Sequence, residues 1–129
     1  MIKNMFLNIG SVIKTSFGDD YDVWVGGHDD ARKRTLFDTP YMSLIPGRSA
    51  FEKQGLSPLL SGYTEIIIKI GTPLPALETV VFACFELCSA LNALDEYSLL
   101  SFKTNPMTLN PAWKTYEVEC VAAFAAACN

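Results

Sequence analysis

The chain predicts an α+β domain, with a mainly antiparallel sheet and two helices packed on one of its faces. Three observations predict it. Two stretches, at the N-terminus and after residue 72, carry apolar residues at three- and four-residue steps. Several short stretches between Gly and Pro breakers are apolar, aromatic or alternating, as strands are. Half of the 129 residues are apolar, enough for one core of ordinary size. The expected order is α-β-β-β-α-β-β in a single domain, 1–129.

The first helix follows from Ile2, Met5, Phe6, Ile9, Val12 and Ile13, with Lys3, Asn4, Asn8, Ser11 and Lys14 on its other side. Gly18 and the Asp19-Asp20 pair end it. Residues 21–25 are aromatic and β-branched and close on Gly26-Gly27, so they predict a strand. The polar run 28–39 predicts an exposed hairpin or loop. A second strand is expected from Tyr41 to Ile45, ended by Pro46-Gly47. The 48–62 stretch, broken by Gly55, Pro58 and Gly62, predicts a long loop.

Residues 63–70 are the clearest strand, with Ile66, Ile68 and Ile70 on one side and Glu65, Ile67 and Lys69 on the other. Gly71-Thr72-Pro73 predicts a turn, with Thr72 or Pro73 opening the second helix. Leu77, Val80, Val81, Cys84, Leu87, Cys88, Leu91 and Leu94 form the expected apolar stripe of that helix. Two last strands, 97–104 and 115–125, predict a hairpin with a proline-stiffened tip. Only the connection through the second helix is expected to cross over to a parallel neighbour.

Charge and composition narrow the function. Fourteen acids against ten bases, and a pI near 4.8, speak against sequence-specific nucleic-acid binding, which relies on Lys and Arg at phosphates. No apolar run reaches membrane-spanning length and no signal peptide is visible, so a soluble, intracellular protein is expected. A mean hydropathy of +0.21 is high for so small a domain and suggests apolar surface destined for a subunit interface.

No catalytic set emerges. His28, beside Asp29 and Asp30, is the only histidine, so no Ser-His-Asp triad forms without it. Gly26-Gly27 lacks the lysine and hydroxyl of a phosphate loop. Glu117 and Glu119 share a strand face, where a solvated pair is the expected arrangement. Cys84, Cys88, Cys120 and Cys128 lack Cys-x-x-Cys spacing and are expected to be reduced thiols without metal. No cofactor is expected.

The last strand says more. Tyr116, Val118, Cys120, Ala122 and Phe124 make one apolar face, and Val121, Ala123 and Ala125 make the other. A strand apolar on both sides needs cover on both. A second subunit could supply it, or the first helix or the 48–62 loop could. Val121, Ala123 and Ala125 are therefore candidate interface residues. The basic run Arg32-Lys33-Arg34 reads first as a solvated hairpin or loop, with an anionic rim contact as the lesser alternative that makes it a candidate interface.

The element order, with Pro40-Tyr41-Met42-Ser43-Leu44-Ile45, the strand at 63–70 and the closing strand at 116–124, resembles the lambda-type tail terminators and related tail-completion proteins of long-tailed phages. The resemblance spans nearly the whole chain and carries no catalytic residues; the 48–62 stretch departs from it. It implies a structural protein of the virion tail, assembled in the host cytoplasm. It further implies a homo-oligomeric ring, a hexamer, that caps the tail tube, ends its polymerisation and offers a head-joining face. The tail tube protein and the head-tail connector would be partners, and Arg32, Lys33 and Arg34 would meet acidic surface on one of these rings. The contrasting expectation is a small cytosolic ligand-binding protein or cofactor-free enzyme, with a pocket between the sheet and the 48–62 loop.

Overall fold

In the computed structural model, which describes residues 2–26, 40–53, 55, 56, 58–73, 77–111 and 114–128, the sheet is built around one strand. That strand, β3 (Leu60–Pro73), lies between β2 (Tyr41–Lys53) and β6 (Thr115–Cys128), antiparallel to both. β1 (Asp22–Val25) extends the sheet beyond β2, and β4 (Leu99–Thr104) and β5 (Thr108–Asn110) pair one after the other along the far edge of β6. Helix α1 (Ile2–Phe17) precedes β1, and α2 (Leu77–Asn92) joins β3 to β4. The protein is α+β: the described residues form two helices and a six-stranded, mostly antiparallel sheet, with far more sheet than helix.

Alternation fixes which side of the sheet the helices cover. Met42 and Leu44 of β2, Ile66, Ile68 and Ile70 of β3, and Val118, Cys120, Ala122 and Phe124 of β6 point the same way in register. They are buried in one core with Met5, Ile9, Ile13 and Phe17 of α1 and Val80, Ala83, Leu87 and Leu91 of α2. The spacing of those helical residues is the three- and four-step apolar stripe a covering helix needs. Gly18 closes α1 by donating its N–H to the Lys14 carbonyl at 2.9 Å, as the sequence predicts.

The structure corrects several expectations. The order gains a strand, because the tip before β6 holds β5. The 48–62 loop does not form: β2 runs on to Lys53 and β3 starts at Leu60, pairing Lys53 with Leu60 across a hairpin end. Pro46-Gly47 does not end β2 either. β1 pairs with β2 only as far as Leu44, so the missing N–H of Pro46 falls where β2 has become an edge strand. A bulge between Pro46 and Ser49 takes up the extra residue. Gly55, at φ +59°, provides the left-handed turn residue at the hairpin end.

The 71–73 turn is likewise absent, since β3 continues through Pro73 and α2 begins only at Leu77. The directly paired parallel strands are β1 and β2, whose 26–40 connection has the dozen or more residues such a crossover needs. The α2 connection does cross over, but it skips a place: β3 and β4 are both antiparallel to β6, which lies between them.

Candidate assembly surfaces

The sheet has a second face, over which no described helix or strand packs. In register it reads as rows: Asp22, Tyr41, Gly71 and Glu117; then Trp24, Ser43, Lys69 and Glu119; then Ile45, Ile67, Val121 and Lys103.

The first row is a fixed polar knot. Gly71 has no side chain, so the Tyr41 ring lies across it; a Cβ there would come within 2.1 Å of that ring. The reach delivers the Tyr41 hydroxyl to Glu117 Oε1, to which it donates at 2.6 Å, with Thr115 Oγ1 3.3 Å from the same hydroxyl. Asn110 Nδ2 donates to Glu117 Oε1 at 3.0 Å, and Lys69 Nζ lies 3.8 Å from Oε2. Trp24 stacks on Tyr41 with ring centroids 5.1 Å apart. Burial first, and then the bond to Glu117, pushes the Tyr41 pKa well above its ordinary value. The expected solvated carboxylate pair is thus corrected at one member. Glu117 is only 8% exposed because Tyr41 and Asn110 satisfy it, while Glu119 is half-buried and accepts from Asn105 Nδ2 at 2.8 Å. The knot ties the ends of β2, β3 and β6 together through Glu117.

The third row is the apolar one. Ile45, Ile67 and Val121 are half-buried in a line across three strands. Of the other candidate interface residues, Ala123 is buried beside its cross-strand neighbours Glu65 and Ser101, and Ala125 is exposed. The two sides of β6 alternate as the sequence predicts. Neither in-chain cover foreseen for this face is found: α1 lies with α2 on the other side, and 48–62 is part of the sheet. Arg32, Lys33 and Arg34, with His28, Asp29 and Asp30, lie outside the described residues.

A larger apolar surface, which the sequence reading missed, is on α2. Phe85 is 70% exposed, Phe82 62% and Val81 46%, so Val81 belongs to the outer side and not to the core stripe. Beside them, between α2 and the β4–β5 edge, runs a groove of about 370 Å³ lined by Val80, Cys84, Cys88, Phe102, Met107 and Val118. The signal was present, because α2 carries apolar residues on more than one side; the stripe reading kept those at core spacing and passed over the two phenylalanines.

The groove wall also holds two thiols, those of Cys84 and Cys88. Cys84, Cys88 and Cys120 are free, and the close neighbour of Cys84 is Cys120 across the helix–sheet boundary, Sγ to Sγ 3.8 Å, instead of Cys88 one turn along. Either thiol can donate to the other; the contact, and then burial, raises the pKa of Cys120, and the contact lowers that of Cys84. Among the described residues no group of three or more His, Cys, Asp or Glu side chains could hold a metal ion, and no helix is long and apolar enough to cross a membrane.

Comparison of the chain with known protein families and with curated proteins finds no match.

Proposed function

We propose that this chain is a structural subunit that associates with copies of itself into a ring, and that the ring caps a phage tail tube, ends its growth and presents the head-joining face. One observation carries the reading: the chain bears two apolar surfaces on different sides of its two layers. One is the exposed Val81, Phe82 and Phe85 patch on the helix side, and the other is the half-buried Ile45, Ile67 and Val121 row on the sheet face over which no described helix or strand packs. Exposed apolar clusters of this kind mark interaction sites. Two different patches, one on each side, cannot both be satisfied by a single two-fold contact. They meet head to tail, and a head-to-tail contact closes into a ring when its rotation allows. The hexamer number and the tail setting come from the resemblance of the element order to tail terminators, and the acidic net charge of −4 accords with a protein–protein task.

Size measurement by light scattering, together with electron microscopy, tests the ring. The wild-type chain is expected as a closed ring, and the Phe82→Ser, Phe85→Ser double variant as a smaller species with unchanged circular dichroism. A wild-type monomer at every concentration overturns the ring. Tube lengths unaffected when the ring is added to polymerising tail tube protein overturn the capping role. Changing Arg32, Lys33 and Arg34 together to Ser is expected to weaken joining to tails while leaving the ring intact, in a salt-dependent way.

A second reading, binding of a small apolar ligand, is favoured by the 370 Å³ groove beside α2 and not by the sheet-and-loop pocket first expected. Native mass spectrometry distinguishes it by a bound organic mass.

A further inference from the structure

Beyond Leu44, where its pairing with β1 stops, β2 has β3 on one side and no described strand on the other. From there to Lys53 the strand is exposed or half-buried throughout. Such an edge presents unpaired N–H and C=O groups, a template for another strand. Natural edges are commonly protected by like charges that repel a second copy. This edge does carry charge, but of opposite sign: Arg48, in the bulge between Pro46 and Ser49, and Glu52, in register with Ser61, lie two residues either side of Ala50. They are about 13 Å apart along one strand, too far to pair within the chain.

We propose that this edge is the contact for a second copy of the same chain, added antiparallel about a two-fold axis through Ala50. In that register Arg48 faces Glu52 of the second copy and Glu52 faces its Arg48, so both ion pairs form at once. Ser49 faces Phe51 of the second copy and Ala50 faces its own equivalent, so no like charges meet. Moving the axis to Ser49 or Phe51 loses both ion pairs: it sets Arg48 or Glu52 opposite Ala50. Pro46 and the bulge beside it limit the pairing at one end, and the hairpin end after Lys53 limits it at the other. The second copy's β1, which pairs with its residues 41–44, falls beyond Lys53. The sheet then continues across both subunits, with the helices of both on the same side.

The contact does not rest on the ring reading. Where rings form, it joins one ring to another and doubles the mass.

Cysteine cross-linking and charge exchange test it, both in the Phe82→Ser, Phe85→Ser background so that loss of the ring is not mistaken for loss of the edge contact. Ala50→Cys is expected to give a covalent dimer on mild oxidation, because directly opposite Cβ atoms are within reach of a disulfide. Phe51→Cys alone is not, whereas mixing it with Ser49→Cys restores the cross-link. Arg48→Glu and Glu52→Arg, each placing like charges opposite one another, are expected to weaken the dimer about tenfold, and the double exchange to restore it. Cross-linking of Ala50→Cys no faster than Phe51→Cys, or a double exchange as weak as the single changes, overturns the proposal.

Discussion

Ile67 and Ile68 are neighbours in one strand and identical in chemistry, yet they belong to different halves of the molecule. Ile68 is fully buried beneath the helices, in register between Leu44 and Cys120. Ile67 points to the other face, between Ile45 and Val121, half-buried with no described helix or strand over it. The covered face repeats one rule: an apolar residue on the sheet opposite an apolar residue on a helix. The bare face mixes a polar knot, a charged row and an apolar row in three successive registers. The covered face is specified by the chain's own packing, whereas the mixed face follows no such single rule.

The largest expected effect tests that contrast directly. Ile68→Ala removes a fully enclosed side chain from the core and is expected to cost about 2–5 kcal/mol, since the surrounding atoms close the cavity only in part. Ile67→Ala is expected to cost less, about 1 kcal/mol, in the dilute, dissociated chain, because Ile67 is only half-buried there. Urea unfolding at low and high protein concentration measures both. If copies cover the bare face, the Ile67 cost grows with concentration while the Ile68 cost does not. Equal costs at low concentration would mean that Ile67 is enclosed within the chain.

An intermediate effect is expected at the polar knot. Tyr41→Phe leaves the buried Glu117 without its shortest donor and is expected to cost about 1–3 kcal/mol. The pH dependence follows from the raised pKa of Tyr41, whose ordinary value is 10.0. The folded protein holds its proton to higher pH than the unfolded chain does. The Tyr41 contribution is therefore complete below about pH 10 and lost as pH rises from there toward the folded-state pKa. The stability gap between wild type and Tyr41→Phe should be constant from pH 7 to 9 and narrow above pH 10. A gap that widens there contradicts the Tyr41–Glu117 bond. Gly71→Ala, which sets a Cβ against the Tyr41 ring, should cost about as much as Tyr41→Phe by displacing the same hydroxyl.

These residues also show what could be read in the sequence. The helix-covered face was legible, because Ile66, Ile68 and Ile70 alternate with Glu65, Ile67 and Lys69, and the α1 spacing has a single apolar side. The two-sided character of β6 was legible for the same reason. The hairpin of β2 and β3 was not. Pro46, Gly47, Gly55, Pro58 and Gly62 are breakers by local preference, and only the neighbouring strand shows that a bulge and an edge position accommodate the first two. Nor was the role of Gly71, which looks like a turn residue but is small because Tyr41 lies across it, thirty positions away in sequence. Glu117 looked like half of a solvated pair, since its donors come from β2 and from Asn110 and no spacing rule connects them. The α2 patch was visible as residues but not as surface, because a helix apolar on several sides does not announce which side meets the sheet. Arg32, Lys33 and Arg34 remain an expectation from charge alone.

The smallest effect is expected at Lys69, where two general rules disagree. Removing one partner of a buried ion pair costs several kcal/mol, whereas removing one from an exposed pair costs about 0–1 kcal/mol. The Glu117 side chain is only 9% exposed, which favours the first rule, but that of Lys69 is 36% exposed and its Nζ is 3.8 Å from the carboxylate. The deciding point is what remains after Lys69→Met. Glu117 still accepts from Tyr41 at 2.6 Å and from Asn110 at 3.0 Å, so its charge is not left without donors, and the methionine keeps much of the stem that packs on the sheet. The expected loss is therefore under about 1 kcal/mol by urea unfolding, and it should shrink further in 0.5 M salt. In the Tyr41→Phe background the same change should cost more, because Lys69 then carries a larger share of the neutralisation and the two sites are coupled. A loss above about 2 kcal/mol in the otherwise wild-type chain would mean that Lys69, and not the tyrosine, holds Glu117 in place.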